Sequence, residues 1–254
     1  MVEDYQQKIE ELRLILARAK RIVFLGGAGT STESGIPDFR SREGMFAAIR
    51  DYGYAPETLL SHSFFLEHTE TFYEYYRKIL LHPDAQPNDC HRALVKLERA
   101  GVLTAVITQN IDGLHQKAGS RNVLELHGSV HQNHCMNCGR AYTLADVMKK
   151  TGVPVCFCGG VIKPDVVLYG EPLSERLLHD AILRLGNADT LIIGGTSLSV
   201  YPAAGLVDYF RGRSLVVINL GNSGRTGSAT LNIAAPIGEV MKQAVFERSL
   251  AKEA

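Results

Sequence analysis

The sequence predicts an α/β fold, an open, doubly wound parallel sheet covered by helices on both faces. Three observations carry that prediction. Apolar runs of strand length recur along the chain: RIVFLGG (21–27), LTAVITQN (103–110), DTLIIGG (189–195) and SLVVINL (214–220). Most are apolar throughout rather than alternating, as strands buried on both faces are. Helical patterns separate them, among them YQQKIEELRLILARAK (5–20) and CHRALVKLERAG (90–101), the second closing on Gly101 as a C-terminal cap. Polar residues then follow the strand ends: the loop at 26–40, Gln109-Asn110-Ile111-Asp112, Gly195-Thr196-Ser197, and Asn219-Leu220-Gly221. Ligands of such sheets bind beyond the carboxyl ends of the strands, so four loops are expected to converge on one rim.

Composition narrows the function. With 254 residues and 27.8 kDa, the chain suits one generous domain carrying a small inserted module. Lysine plus arginine and aspartate plus glutamate number 27 each, and the pI is about 7.1, which argues against a general nucleic-acid or membrane-surface binder. No apolar run approaches the roughly 20 residues of a membrane span. The opening MVEDYQQKIEEL is acidic and polar, unlike a secretory or mitochondrial signal. Five cysteines in such a chain point to a reducing compartment, the cytoplasm, and to metal binding rather than disulfides.

The first strand empties into GGAGTSTESGIPDFR (26–40). A dinucleotide fingerprint beginning at Gly27 and Gly29 fails at its third glycine position, which holds Thr32. A Walker loop needs Gly-Lys-Ser/Thr, and no lysine lies between Arg21 and Lys78. The loop is therefore of phosphate type but unusually long, with Asp38 and Arg40 at its far end.

Two stretches break the strand–helix alternation. Residues 41–88 are rich in aromatics and read as a helical excursion. Residues 129–164 contain Cys135-Met-Asn-Cys138 and Cys156-Phe-Cys158, two pairs separated by 17 residues. The first pair has zinc-knuckle spacing, and Gly139 and Gly159-Gly160 supply tight turns after the pairs. Four thiolates with no open position predict one structural zinc ion. His131 and His134 lie close by, but four cysteines already fill a tetrahedron. Cys90 stands apart and reads as a buried structural thiol.

Among the loops, Gln109, Asn110 and Asp112 beyond one strand end read either as turn formers or as ligand groups. In LELHGSV (124–130), His127 interrupts an apolar segment, which fits a satisfied core histidine or a catalytic base.

Taken together, these motifs resemble the sirtuins, the silent-information-regulator family of NAD-dependent protein-lysine deacylases, from about residue 12 to 243. The resemblance rests on GAGTSTESGIPDFRS, TQNIDGLH, LELHGSV, the four cysteines, KPDVVLYGE (163–171), GTSLSVYPAAGL (195–206) and VVINLG (216–221). It implies a Rossmann-like NAD-binding domain made of residues 1–40, 89–128 and 165–254. It also implies a smaller domain combining a helical module (41–88) with a zinc ribbon (129–164). In the first loop Gly27, Ala28, Gly29, Thr32, Asp38, Phe39 and Arg40 are expected around NAD: the glycines and Thr32 at the pyrophosphate, Arg40 as a fixed positive charge, Phe39 as an apolar face against nicotinamide. Gln109, Asn110, Ile111 and Asp112 are implied for the nicotinamide pocket. Gly195, Thr196, Ser197, Asn219 and Leu220 are implied on the adenosine side, with Ile237 near the adenine. His127 is implied as the base that takes a proton from a ribose hydroxyl, with Asn110 also catalytic, and Val166 and Val167 as acyl-lysine contacts on an extended edge that a substrate peptide joins. The expected partners are acetyl-lysine-containing proteins or peptides, with nicotinamide as product and inhibitor and no nucleic acid or membrane. A protein ADP-ribosyltransferase and a non-catalytic NAD-sensing module are the alternatives, and intact Asn110, Asp112 and His127 speak against the latter.

Three departures from the family pattern stand out. Thr30 occupies a position where many relatives carry Ile or Val, which reads as a local packing change. The second cysteine pair is C-x-C. Finally, the Tyr-x-x-Arg pair of the desuccinylase branch is missing: Tyr73 is followed three residues later by Tyr76, with Arg77 one further. A one-residue shift turns a helical side chain by about 100°, so acetyl-lysine is favoured over succinyl-lysine.

Overall fold

The computed structural model describes residues 2–38, 42–221 and 226–247. The first third of the chain contains α1 (Val2–Arg18), β1 (Ile22–Gly26), α2 (Arg42–Tyr52), α3 (Pro56–Leu59), α4 (His62–Glu67) and α5 (Thr69–Tyr75), the last running into a π-helical turn at Tyr76–Leu80. The middle contains α6 (Asp89–Arg99), β2 (Leu103–Thr108), α7 (Leu114–Ala118), β3 (Val123–Glu125), β4 (Gly128–Cys135), β5 (Ala141–Thr143), α8 (Leu144–Met148) and β6 (Ile162–Val166). The remainder contains α9 (Glu175–Asn187), β7 (Thr190–Gly194), β8 (Ser214–Ile218), β9 (Leu231–Ile233) and α10 (Ile237–Phe246).

Six parallel strands form one sheet in the order β3-β2-β1-β7-β8-β9. Ranked along the chain this is the 3-2-1-4-5-6 order of a dinucleotide-binding fold, with the switch point between β1 and β7. Register does the positioning. Gly26 pairs with Thr108 on one side and Gly194 on the other, and Gly194 pairs with Ile218. Four strands therefore finish level, and their loops open side by side.

The strands alternate between two cores, which explains their continuous apolar runs. Ile22 and Phe24 of β1 and Ile192 of β7 pack with Ile9 and Leu12 of α1, Leu94 of α6 and Val240 of α10. Val23, Leu25, Leu191 and Ile193 face the opposite way, against Ala181 and Leu185 of α9 and a 3-10 segment at Ala203–Tyr209. Each such aliphatic side chain, fully buried, contributes about 1.5–3 kcal/mol. Helix α6 starts with the Asn88 side chain accepting from the amide of Cys90 at 2.9 Å. It ends where Gly101, at φ +77°, sends its amide back to the carbonyl of Glu98.

A three-stranded antiparallel sheet, β5-β4-β6, carries the cysteines. It shares a third core with the helices of residues 42–80: Phe65, Phe72, Tyr73, Tyr75 and Tyr76 pack with Val130, Cys135, Cys156 and Ile162. The one-residue displacement noted in the sequence has a structural outcome. Arg77 donates to the carbonyl of Lys150 at 3.0 Å and lies 5.3 Å from the Tyr73 ring, while the Tyr73 hydroxyl donates to the carbonyl of Ile162. Both residues brace the helices against the cysteine-bearing sheet. No helix among the described residues is long and apolar enough to cross a membrane.

Candidate active site and metal centre

The level strand ends open into one cleft of about 720 Å³. Gly27, Ala28, Gly29, Thr32 and Asp38 line it from the first loop, and Gln109, Asn110, Ile111 and Asp112 from the loop after β2. Gly195, Thr196 and Ser197, then Asn219 and Leu220, and Ile237 at the start of α10 complete the sheet side. His127, Val166 and Val167 line the same cleft. Phe39 and Arg40 lie outside the described residues. No lysine or arginine is among the described residues of the lining.

The glycines have a different immediate role from the one the sequence suggested. The amide of Gly27 donates to the carbonyl of Gly194 at 3.2 Å, and that of Gly29 to the carbonyl of Gly195 at 2.8 Å. A Cβ on Gly29 would fall 2.7 Å from the Gly195 Cα, and Gly195 itself sits at φ +58°. These glycines let two backbone loops touch across the switch point. The Thr32 hydroxyl donates to the carbonyl of Gly29 at 3.0 Å. Farther along, Glu33 accepts from the amide of Gly238 at 2.5 Å. That contact caps α10 and fastens the first loop to the Ile237 end of the cleft.

The loop after β2 is held by a dense polar network. The Asn110 amide group donates to the hydroxyl oxygens of Thr30 (2.9 Å) and Ser31 (3.0 Å). Ser31 in turn donates to Asp112 Oδ2 at 2.6 Å, and Asp112 Oδ1 accepts from the amide of Leu114 at 2.9 Å. Gln109 donates to the Thr196 hydroxyl at 3.1 Å, tying this loop to the one after β7. Thr30, entirely buried, is thus part of the site's wiring and not a mere packing change. Behind this wall, Asn88 donates to the carbonyl of Thr30 at 2.8 Å and contacts His91 Nδ1 at 3.0 Å. His91 and His115 are buried 4.7 Å apart between ring centres. Burial pulls the pKa of His91 down to about 4; for His115, burial and then repulsion from His91 hold it well below the usual histidine value.

His127 is oriented by backbone. Its Nδ1 lies 2.9 Å from the carbonyl of Gln109. A carbonyl only accepts, so Nδ1 carries the proton, and Nε2 is the nitrogen that can take another. The carbonyl of His127 accepts from the amide of Val167 at 2.9 Å, which locks the histidine to the substrate-side segment. A Cβ on Gly128 (φ +75°) would meet the Asp165 carbonyl at 1.9 Å, so only glycine permits this close approach.

The segment KPDVVLYGE is less open than a bare strand edge. Lys163 reaches the carbonyl of Val166 at 3.1 Å and Glu171 at 3.2 Å. Glu171 accepts from the amide of Leu168 at 2.8 Å and meets His62 Nδ1 at 2.8 Å. Tyr169 is bridged to Ser61, with its amide and carbonyl bonded to Leu60 and His62. These contacts outweigh desolvation and hold the Glu171 carboxyl below its ordinary pKa, through the Leu168 amide, His62 and Lys163. The chain's own groups thus meet the Val166 carbonyl, the Leu168 amide and the Tyr169 backbone, which fixes the shape of this segment beside the cleft. Leu60, Ile79, Leu80 and Tyr201 also line the cleft and were not anticipated. Ile79 and Leu80 come from the π-helical turn, which no sequence pattern marks.

The sulfurs of Cys135, Cys138, Cys156 and Cys158 lie within 4.8 Å of one another, with Cys135–Cys158 at 3.5 Å and Cys138–Cys156 at 3.7 Å. Zinc–sulfur bonds of 2.3 Å at tetrahedral angles set sulfurs about 3.8 Å apart, so this donor set fits one zinc ion. The Cys158 amide and then the Tyr142 hydroxyl, donating at 3.0 Å, pull Cys156 down to about 6. His131 and His134 are engaged elsewhere, with the Asp112 carbonyl and Asp165. Cys90 is fully buried, and burial raises its pKa.

Comparison with known proteins fits this geometry. Residues 27–202 match the Sir2 family. Bacterial proteins named NAD-dependent protein deacetylase are similar along nearly the whole chain. The one from Clostridium acetobutylicum is 51% identical, over 94% of this chain and 98% of its own. That from Cutibacterium acnes is 52% identical, over 91% and 95%. Among solved structures, one described as the basis for the mechanism and regulation of Sir2 enzymes has a TM-score of 0.85 at 38% identity, covering 95% of this chain and 98% of that one. A Sir2–p53 peptide–NAD+ complex has a TM-score of 0.82 at 38% identity, covering 92% and 96%. The chain belongs to the Sir2 family.

Proposed function

We infer that this protein is an NAD-dependent protein-lysine deacetylase, converting acetyl-lysine, NAD and water to lysine, nicotinamide and O-acetyl-ADP-ribose. The observation that carries the reading is that Asn110, Asp112 and His127 line one cleft, with His127 Nδ1 committed to the Gln109 carbonyl and its Nε2 left as the basic nitrogen. Relatives about 50% identical bear the deacetylase name, and Sir2 structures with deacetylated p53 peptide and acetyl-ADP-ribose support the same products.

Nicotinamide leaves C1′ of the NAD ribose as positive charge develops there, and the acetyl-lysine carbonyl oxygen bonds to that carbon. Asp112 accepts from the nicotinamide carboxamide, and Asn110 orients ribose hydroxyls. His127 takes the proton of a ribose hydroxyl at Nε2, and that oxygen attacks the alkylimidate carbon; the lysine amine then leaves with a proton and a water oxygen adds to the same carbon, giving the acetyl ester of ADP-ribose. General-base assistance of this kind contributes roughly 10²–10⁴-fold. Val166 and Val167 contact the acyl-lysine; Thr196, Ser197, Asn219, Leu220 and Ile237 hold the adenosine side, and Arg40 meets the pyrophosphate. Zinc on the four cysteines stabilises the small sheet and takes no part in the chemistry. The enzyme works in the cytoplasm on acetylated proteins, with nicotinamide as product and inhibitor.

The test is mass spectrometry of products from NAD and a panel of acylated peptides. Free O-acetyl-ADP-ribose in step with deacetylated peptide is expected. ADP-ribosylated protein instead identifies a transferase, and NAD binding without turnover identifies a sensing module.

A further inference from the structure

We propose that Thr30 is a positioning residue that fixes which end of the Asn110 side-chain amide faces the cleft; the proposal rests on the deacetylase reading. The Thr30 hydroxyl lies 2.7 Å from the carbonyl of Gly27, which can only accept, so its single proton goes there. Ser31 lies 2.6 Å from Asp112 Oδ2, and a carboxylate also only accepts, so the Ser31 proton goes to Asp112. Both hydroxyls therefore turn lone pairs toward Asn110, whose nitrogen lies 2.9 Å from Thr30 and 3.0 Å from Ser31. The two amide hydrogens are thereby committed inward. Flipping the amide would set its oxygen against two oxygens that have no proton left to give. Asn110 Oδ1 is left as the acceptor that a ribose hydroxyl or a water in the cleft can donate to.

The two locks differ. Ser31 is bonded to Asp112, a group that the reaction itself draws on. The Thr30 hydroxyl gives its proton to backbone, in a loop pinned by the contact of Gly29 with Gly195, and Thr30 is entirely buried. Thr30 therefore holds Asn110 through each change at Asp112. Valine has the same branched shape without the acceptor, and the Gly27 carbonyl would keep its second donor, the Thr30 amide at 2.9 Å. The substitution thus removes the lock and little else.

The experiment is a double-mutant cycle on the zinc-loaded enzyme, using Thr30→Val, Thr30→Ser, Asn110→Ala and the Thr30→Val/Asn110→Ala pair. Nicotinamide exchange, deacetylation and NAD binding are measured for each. Thr30→Val is expected to lower kcat of both reactions about tenfold, as loss of one hydrogen bond held in place does, with peptide KM unchanged. Thr30→Ser restores the rate to within about twofold, and Thr30→Val has no further effect once Asn110 is alanine. The proposal is overturned if Thr30→Val keeps the wild-type rate, if Thr30→Ser falls as far, or if the valine effect is undiminished in the Asn110→Ala background. Should Thr30→Val fail to fold, Thr30→Ala against Thr30→Ser makes the same decision. A wild-type enzyme with neither exchange nor deacetylation overturns the deacetylase reading itself, an outcome distinct from all of these.

Discussion

The two walls of the cleft are built by opposite means. The proposed nicotinamide wall is held by directed hydrogen bonds between mostly neutral groups: Asn110 donates to Thr30 and Ser31, which pass their protons to the Gly27 carbonyl and to Asp112, backed by Asn88 and two buried histidines. The acyl-lysine wall is held by charge, with Lys163 and Glu171 gripping the backbone of residues 166–168 and His62 attached from outside. A neutral chain has a fixed polarity, so each group presents either a donor or an acceptor to the cleft. A charged clamp tolerates small shifts, because Coulomb attraction depends weakly on angle. The first suits a wall facing a developing positive charge, the second a segment that receives peptides of varied sequence.

The largest expected effect comes from His127, which stands where the walls meet. His127→Ala should lower deacetylation roughly 10²–10⁴-fold while NAD binding stays near native and nicotinamide exchange persists in part. Exchange needs only bond cleavage at the nicotinamide wall, whereas deacetylation also needs the base. Parallel measurement of exchange and deacetylation decides it; near-native deacetylation in the variant would make this a core histidine and break the division between walls.

Acyl preference follows in size. Arg77 is occupied at the Lys150 carbonyl and against Tyr73, away from the cleft lining. A succinyl carboxylate would be buried beside Leu60, Ile79 and Leu80 without a described cation. Acetyl-peptide should be turned over at least about a hundredfold faster than succinyl-peptide, given the several kcal/mol needed to bury an unpaired charge. Equal kcat/KM for the two peptides would show that a cation reaches the acyl end.

The clamp itself can be removed with Lys163→Met, which keeps the stem and deletes the charge. Peptide KM should rise about tenfold, the order expected for losing hydrogen bonds to a charged group. Both the NAD KM and the exchange rate should stay within about twofold. A rise in NAD KM as large as that in peptide KM would mean that the walls are not separate.

Much of this was legible in the sequence, and the boundary is physical. Continuous apolar runs gave away β1, β2, β7 and β8, because burial on both faces leaves no choice of residue type. Residues predicted from strand-end loops converge on the cleft because register brings Gly26, Thr108, Gly194 and Ile218 level. Strands β3 and β9, three residues each, carry too little pattern to announce themselves. The π-helical turn that brings Ile79 and Leu80 to the cleft was equally hidden, since its residues are ordinary helix formers. Hydrogen-bond direction was also invisible: Thr30 read as packing until the partners of its hydroxyl were seen.

The smallest effect is a separation of the two walls by pH. His91 and His115 are buried neutral behind the nicotinamide wall, with folded pKa values held down by burial; Asp112 opposes and Arg92 reinforces this for His91. A histidine whose folded pKa is depressed contributes stability above its ordinary value near 6.5, and that stability is lost as pH falls toward the folded value. Between pH 6.5 and about 4, His91 should therefore remove up to about 1.4 kcal/mol per pH unit, and His115 acts in the same direction. Glu171 obeys the same sign in a lower window. Its carboxylate is favoured in the folded state, so its contribution is complete above the ordinary pKa near 4.5 and lost only below it. Acidification from 7 to 5.5 should thus lower Tm by a few degrees and slow nicotinamide exchange while leaving peptide KM in place. His91→Leu, which removes one titrating group of the pair, should flatten the Tm profile over that window. An equally steep profile in His91→Leu would assign the acid sensitivity elsewhere, and a peptide KM that rises already at pH 5.5 would show the charged wall giving way first.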